Sequence, residues 1–169
     1  MILAFDTYYY QNQARTVAVA FSQWPDEEPL KIYAETTQNP AEYEPGSFYK
    51  RELPCILSLI RQIDLSTVSH IIVDGYAVLD DAGKPGLGGH LYDALGKTIP
   101  IIGVAKSDFR SLKKGKVAVL RGQSQNPLFV TASGMEVETA AAFIDKMHGQ
   151  FRIPTLLGLL DRATKDGLK

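Results

Sequence analysis

The chain has 169 residues, 45% of them hydrophobic and 22% charged, which suits one domain over residues 1–169 with a core that needs no staples. A lone Cys55 excludes an internal disulfide, and no apolar run nears the roughly 20 residues that a membrane helix needs. The net charge of −1 argues against a general nucleic-acid coat protein. Met1 leads into a strand rather than into a basic and then apolar leader, so no signal peptide is expected and a cytoplasmic protein is the simple reading.

The first element, Met1-Ile2-Leu3-Ala4-Phe5-Asp6, is an apolar run that ends on a carboxylate. Residues 7–13 read as a polar turn and residues 16–21 as a second strand. A turn is set by Pro25 and Pro29, and residues 31–36 alternate as a third strand should. Together they predict a three-strand antiparallel meander, followed by a loop over residues 37–47. Leu53, Ile56, Leu57, Ile60 and Ile63 then form one apolar stripe of a helix over residues 48–63. Because Pro54 is tolerable only in a first turn, the helix start is expected nearer Arg51.

Ile71-Ile72-Val73-Asp74-Gly75 is a second apolar run that ends on a carboxylate and turns at once on a glycine. Its last side chain is expected to emerge at the C-terminal edge of a sheet, where open α/β folds put their chemistry. A glycine-rich connection over residues 81–89 leads to a short helix ending near Gly96. Residues 99–104 read as another buried strand, and residues 117–120 and 128–131 as a late hairpin. An amphipathic helix over residues 136–147 is expected to be capped by Ser133 or Thr131, and a last helix to run from after Pro154 to about Thr164.

A meander followed by alternating helix and strand is the order of a ribonuclease H-like domain. The expected fold class is therefore α/β: a mixed central sheet, antiparallel meander plus parallel strands, flanked by helices. In that order the first and fourth strands are neighbours, so Asp6 and Asp74 come close. Two unneutralised carboxylates that close raise one another's pKa, and a divalent cation is the usual remedy. Taken singly, each reads more often as a strand-end turn residue than as a ligand. Residues 1–52 hold eight acids against four bases, whereas residues 106–121 hold six bases (Lys106, Arg110, Lys113, Lys114, Lys116, Arg121) against Asp108 alone. That basic stretch is either a solvated face or a phosphate-tracking patch.

A third acid, Glu52, lies in Tyr43-Glu44-Pro45-Gly46-Ser47-Phe48-Tyr49-Lys50-Arg51-Glu52. Here the chain resembles the endonuclease V family, which carries Tyr-x-Pro-Gly followed at this spacing by Arg-Glu at a helix start. The resemblance continues in Val73-Asp74-Gly75, in Gly86-Leu87-Gly88-Gly89-His90-Leu91 and in Ile99-Pro100-Ile101-Ile102-Gly103-Val104-Ala105-Lys106. It ends in Phe151-Arg152-Ile153-Pro154 and Leu160-Asp161. It implies a Mg²⁺- or Mn²⁺-dependent endonuclease that cleaves DNA or RNA near deaminated purines, inosine above all. Asp6, Glu52 and Asp74 would be metal ligands, and Asp161 a fourth carboxylate. Oxygen ligands are what Mg²⁺ prefers, and a bound metal would polarise the phosphodiester and activate water. Lys106 would steady the charge that develops on phosphorus. Substrate contacts would come from Tyr43, Pro45, Gly46, Gly86, His90, Gly103 and Ala105, the small residues leaving room for an extruded base.

The chain departs from the family's pattern in four places. The family's first helix has no counterpart before Met1. Its Pro-Tyr-Ile-Pro wedge is Glu42-Tyr43-Glu44-Pro45, with two charges that repel phosphate. Its His six residues after the Asp74 equivalent is Asp80, with at least one residue inserted before His90. The Arg of its Pro-Glu-Pro-Thr-Arg is missing from Pro154-Thr155-Leu156-Leu157-Gly158. The carboxylates favour a nuclease acting on single-stranded or lesion-containing nucleic acid. The acidic wedge favours a binding module without turnover, or an interaction domain on the same fold.

Overall fold

Two hydrophobic layers sandwich one sheet, and the alternation of side chains along its strands decides which residue enters which layer. A computed structural model describes residues 1–167. Strands β1 (Ile2–Tyr10), β2 (Gln13–Phe21) and β3 (Lys31–Gln38) form the antiparallel meander. Helix α1 (Tyr49–Ile60) leads through a short 3₁₀ turn to β4 (His70–Asp74). Then come α2 (Leu87–Ala94), β5 (Ile101–Ala105), β6 (Val117–Val119), β7 (Leu128–Ser133), α3 (Val137–Lys146) and α4 (Thr155–Lys165). The sheet order is β3-β2-β1-β4-β5-β7-β6. Strands β1, β4 and β5 are parallel neighbours, and β7 closes antiparallel on β5. This is the mixed sheet and the α/β architecture that the order of elements predicts. No described helix is long and apolar enough to cross a membrane.

Because successive strand residues point to opposite faces, Leu3, Phe5, Ile71, Val73 and Ile101 join the layer that contains α1 and α2. Ile2, Ala4, Ile72, Ile102 and Val104 join the layer that contains α3 and α4. Asp6, Asp74 and Lys106 continue the second set, so parity alone sends all three toward α4.

Several local expectations are corrected. Tyr8, Tyr9 and Tyr10 are not a turn: they extend β1, and the hairpin turns on Gln11 and Asn12, both with positive φ. Such two-residue turns match the twist of the flanking strands, so the polar run was long enough to hide two more strand ends. Helix α1 starts at Tyr49, which puts Pro54 in its second turn. Pro54 has no amide to give the Lys50 carbonyl and its ring crowds that carbonyl, a cost that α1 carries in its second turn. Neither Thr131 nor Ser133 caps α3, since both lie in β7 and the helix starts from Glu136 without a side-chain cap. Thr131 Oγ1 instead accepts a hydrogen bond from Ala77 N at 2.8 Å, which pins the loop after Asp74 across β5.

Candidate active site

The register places Phe5 beside Val73 and Asp74 beside Val104, so Asp6 and Asp74 stand level on adjacent parallel strands. Strand β1 runs on beyond them while β4 stops at Asp74. That step in the sheet edge opens a notch floored by Phe5, Ile72, Val73 and Val104, and roofed by Leu157, Leu160 and Asp161 of α4. Lys106, the first residue past β5, lines it too. The space within it is about 30 Å³, room for a small ion or a water.

Electrostatics follows from this crowding. Asp6 Oδ1 accepts from Thr7 N at 2.8 Å, yet burial, and then the facing Asp74, push its pKa up to about 7. Glu52, in the first turn of α1, reaches the cluster from the other layer. Burial first, then Asp6 and Asp74, raise it to about 8. Asp74 is more open, and the protein packed beneath it raises its carboxyl too, with Asp161 adding to the rise. Lys106 and a hydrogen bond shared with Asp6 act the other way. Lys106 Nζ stands 3.9 Å from Asp74 Oδ2, and Lys165 Nζ 2.9 Å from Asp161 Oδ2.

Oxygen donors without histidine or thiolate suit a hard cation rather than zinc or copper. Carboxyls whose pKa is raised by burial and then by one another suit one as well, since a cation offsets both causes. Among the described residues no three His, Cys, Asp or Glu side chains close into a ligand-like group. Asp6 and Asp74 continue one face of the sheet, whereas Glu52 stands on α1 in the other layer. Two facing carboxylates still fit Mg²⁺, which is commonly held by one or two carboxylates plus substrate phosphate.

Sequence reasoning missed the supports of this cluster. Arg51 lies over the Tyr9 ring, its guanidinium carbon 3.6 Å from the centroid, and so braces the turn that presents Glu52. Lys165 lies four residues after Asp161, a helical spacing that could have flagged it. Arg152 donates to the Lys106 carbonyl at 2.5 Å.

The expected substrate residues scatter more widely. Gly46, with φ +78°, opens on a second cavity of about 220 Å³, together with Phe48, Leu79, Asp80, Lys84, Phe109 and Ser111. Tyr43 is exposed, as is Pro45, and its ring sits 5.4 Å from that of Phe48. Ala105 is buried at the end of β5. His90 lies stacked 3.6 Å from Tyr49 between α1 and α2, so one face of its ring is already taken. At Gly103 a methyl group would fall 2.6 Å from Gly75 O, Ala77 N and Thr131 Oγ1, and at Gly86 one would fall 2.5 Å from Tyr76 O. Both glycines let the protein's own loop approach closely. The basic stretch is likewise not a uniform patch. Arg121 is 4% exposed, Lys116 pairs with Asp108, and Asp81 occupies the amides of Lys113 and Lys114.

Residues 1–161 match the family model described as Endonuclease V. No curated protein matches the sequence. Among solved structures, endonuclease V of Ciona intestinalis, bound to a 24mer DNA containing an inosine followed by a ribo-adenosine, superposes with a TM-score of 0.82 at 19% identity, covering 99% of this chain and 85% of that one. Human ENDOV gives 0.79 at 21% identity, covering 99% and 83%. Endonuclease V of Streptomyces avermitilis gives 0.77 at 22%, covering 99% and 80%. At these identities the likeness is one of fold.

Proposed function

This chain belongs to the endonuclease V family, and we propose that it is a Mg²⁺- or Mn²⁺-dependent endonuclease, cytoplasmic and formed as one domain by residues 1–169. Its substrate would be inosine-containing DNA or RNA. The observation that carries this reading is the level pair Asp6 and Asp74, with Lys106 beside them, at the open edge of the sheet.

Asp6 and Asp74 would hold the metal, with Glu52 and Asp161 completing its surroundings. When bound, it supplies Lewis acidity toward the phosphodiester and lowers the pKa of an attacking water. The chain's own part is to hold charge and protons in place. Lys106 presents a cation next to Asp74, where it would meet a non-bridging phosphate oxygen as negative charge builds. Glu52 and Asp6, whose carboxyls burial and their acidic neighbours raise, would take on charge as a bound cation offsets that crowding. The cavity beside Gly46 supports the base-holding part of the proposal. Its volume is several times the roughly 30 Å³ of a water, and its Phe48 and Phe109 rings could stack on a flat base.

The test is cleavage of inosine-containing single-stranded and duplex oligonucleotides in Mg²⁺, Mn²⁺ or EDTA, with the Asp74→Ala protein in parallel. Cleavage should require metal and vanish in the variant. Cleavage undiminished in EDTA would remove the metal mechanism, and binding without cleavage in either metal would favour the binding-module reading.

A further inference from the structure

Phe151 is the most exposed large hydrophobic side chain among the described residues, at 75%, yet the backbone that carries it is tightly held. Arg121, buried in a layer that offers it no carboxylate hydrogen bond, donates Nη1 to Phe151 O at 2.7 Å. Its Nη2 donates to Met147 O at 2.5 Å and Gly149 O at 3.2 Å. The neighbouring Gly122 has φ +59°, and a methyl group there would lie 2.0 Å from Gln150 O, so the two segments pack backbone on backbone. One residue on, Arg152 Nη2 bonds Lys106 O and Pro127 O at 2.5 and 2.9 Å. The loop that displays Phe151 is thereby tied to the residue that faces Asp74.

Beside the ring runs a groove of about 640 Å³ lined by Gly122, Gln123, Ser124, Gln150, Phe151 and Arg152. A single exposed phenylalanine is ordinary on a protein surface. A guanidinium spent on fixing its main chain, and a groove without a carboxylate whose Arg152 is bonded to the Lys106 carbonyl, are a different matter. The contrast with Tyr43, flanked by Glu42 and Glu44, is one of charge: a phosphate can approach Phe151 without repulsion from its lining.

We propose that Phe151 and this groove form a stacking subsite for an unpaired nucleobase of the strand that flanks the cleaved phosphodiester. The inference rests on the nuclease reading. Every base has a π face, so such a platform holds a single strand without regard to sequence. A ring on a pre-fixed backbone also loses little freedom on binding. The Gln123 and Gln150 amides add donors and acceptors at the rim.

The experiment measures fluorescence anisotropy in EDTA, using the full chain with a long inosine-containing single strand and with one trimmed to the few nucleotides around the inosine. Phe151→Ala should weaken the long strand about tenfold and leave the trimmed one unchanged. Its melting temperature should stay near that of the parent, since Arg121 holds main-chain atoms. Phe151→Trp should keep the long-strand affinity, and its added indole emission should be quenched by the long strand only. Equal long-strand affinity in parent and Phe151→Ala overturns the subsite, as does an equal loss for both lengths or an unquenched tryptophan. If the parent protein binds neither strand, the nuclease reading itself fails and takes the subsite with it.

Discussion

Lys106 and Asp74 face one another at 3.9 Å from the ends of two neighbouring parallel strands. Neither side chain is buried, and an exposed pair at that distance contributes little to stability. Its consequence is chemical, because it sets an ammonium beside a carboxylate pair that would hold a cation. Lys106→Met should therefore lower the single-turnover cleavage rate about 10²- to 10³-fold while barely moving the melting temperature. Lys106→Arg should keep part of the rate. A rate in Lys106→Met equal to that of the parent would remove the lysine from the reaction.

The raised carboxyls give the metal-free protein a pH dependence. Folded Asp6 and Glu52 keep their protons up to about pH 7 and 8, against ordinary values of 3.8 and 4.5. Between those limits the folded state binds more protons than the unfolded one, so stability falls as pH rises. His70 and His90, lowered by burial below 6.5, act in the opposite sense but below about that pH. Calorimetry in EDTA from about pH 6.5 to 8 should show a falling melting temperature, and Mg²⁺ should raise it more at the upper end. A flat profile with a uniform Mg²⁺ shift would contradict this placement of the two acids.

Gly103→Ala should destabilise by about 1–3 kcal/mol, because the added methyl meets backbone atoms of the loop at Gly75 and Ala77. The same loop starts at Asp74, so metal affinity should fall with stability. Urea denaturation and Mn²⁺ titration measure the two effects, and an unchanged midpoint would show that the loop is free to lift.

The acidic flank of Tyr43 should disfavour duplex DNA. Each unit charge near a phosphate costs about 1 kcal/mol at 4 Å even in bulk water. Glu44 is partly countered by Lys50 at 3.1 Å, so Glu42 carries more of the penalty. Glu42→Pro with Glu44→Ile should improve duplex binding, most of it from the first change and most at low salt. Anisotropy at several salt concentrations checks this. Unaltered low-salt affinity would clear the two glutamates.

Local chemistry was readable wherever one residue's neighbours in sequence are also its neighbours in space. The apolar runs that end in Asp6 and Asp74, the meander, and the period of α1 depend on patterns of two or of about three and a half residues, which any strand or helix must show. So did the family membership, because Tyr43 to Glu52 and Ile99 to Lys106 carry it in order. Turn length at Gln11 and Asn12 and the start of α1 were not readable, since polar tyrosines suit a strand end as well as a turn and the packing of α1 outweighs the cost of Pro54 in its second turn.

What only the tertiary structure decided is which side chains share a face and what fills each space. Parity along β1, β4 and β5 was in the sequence, but the register that sets Asp6 level with Asp74 was not. Nothing local to Gly103 announces that the loop from Gly75 to Ala77 lies across it. Arg121 looks like part of a basic surface until burial turns its guanidinium onto four main-chain carbonyls. The physical reason is the same in each case: a side chain's role depends on contacts from segments distant in the chain, and no local pattern encodes those contacts.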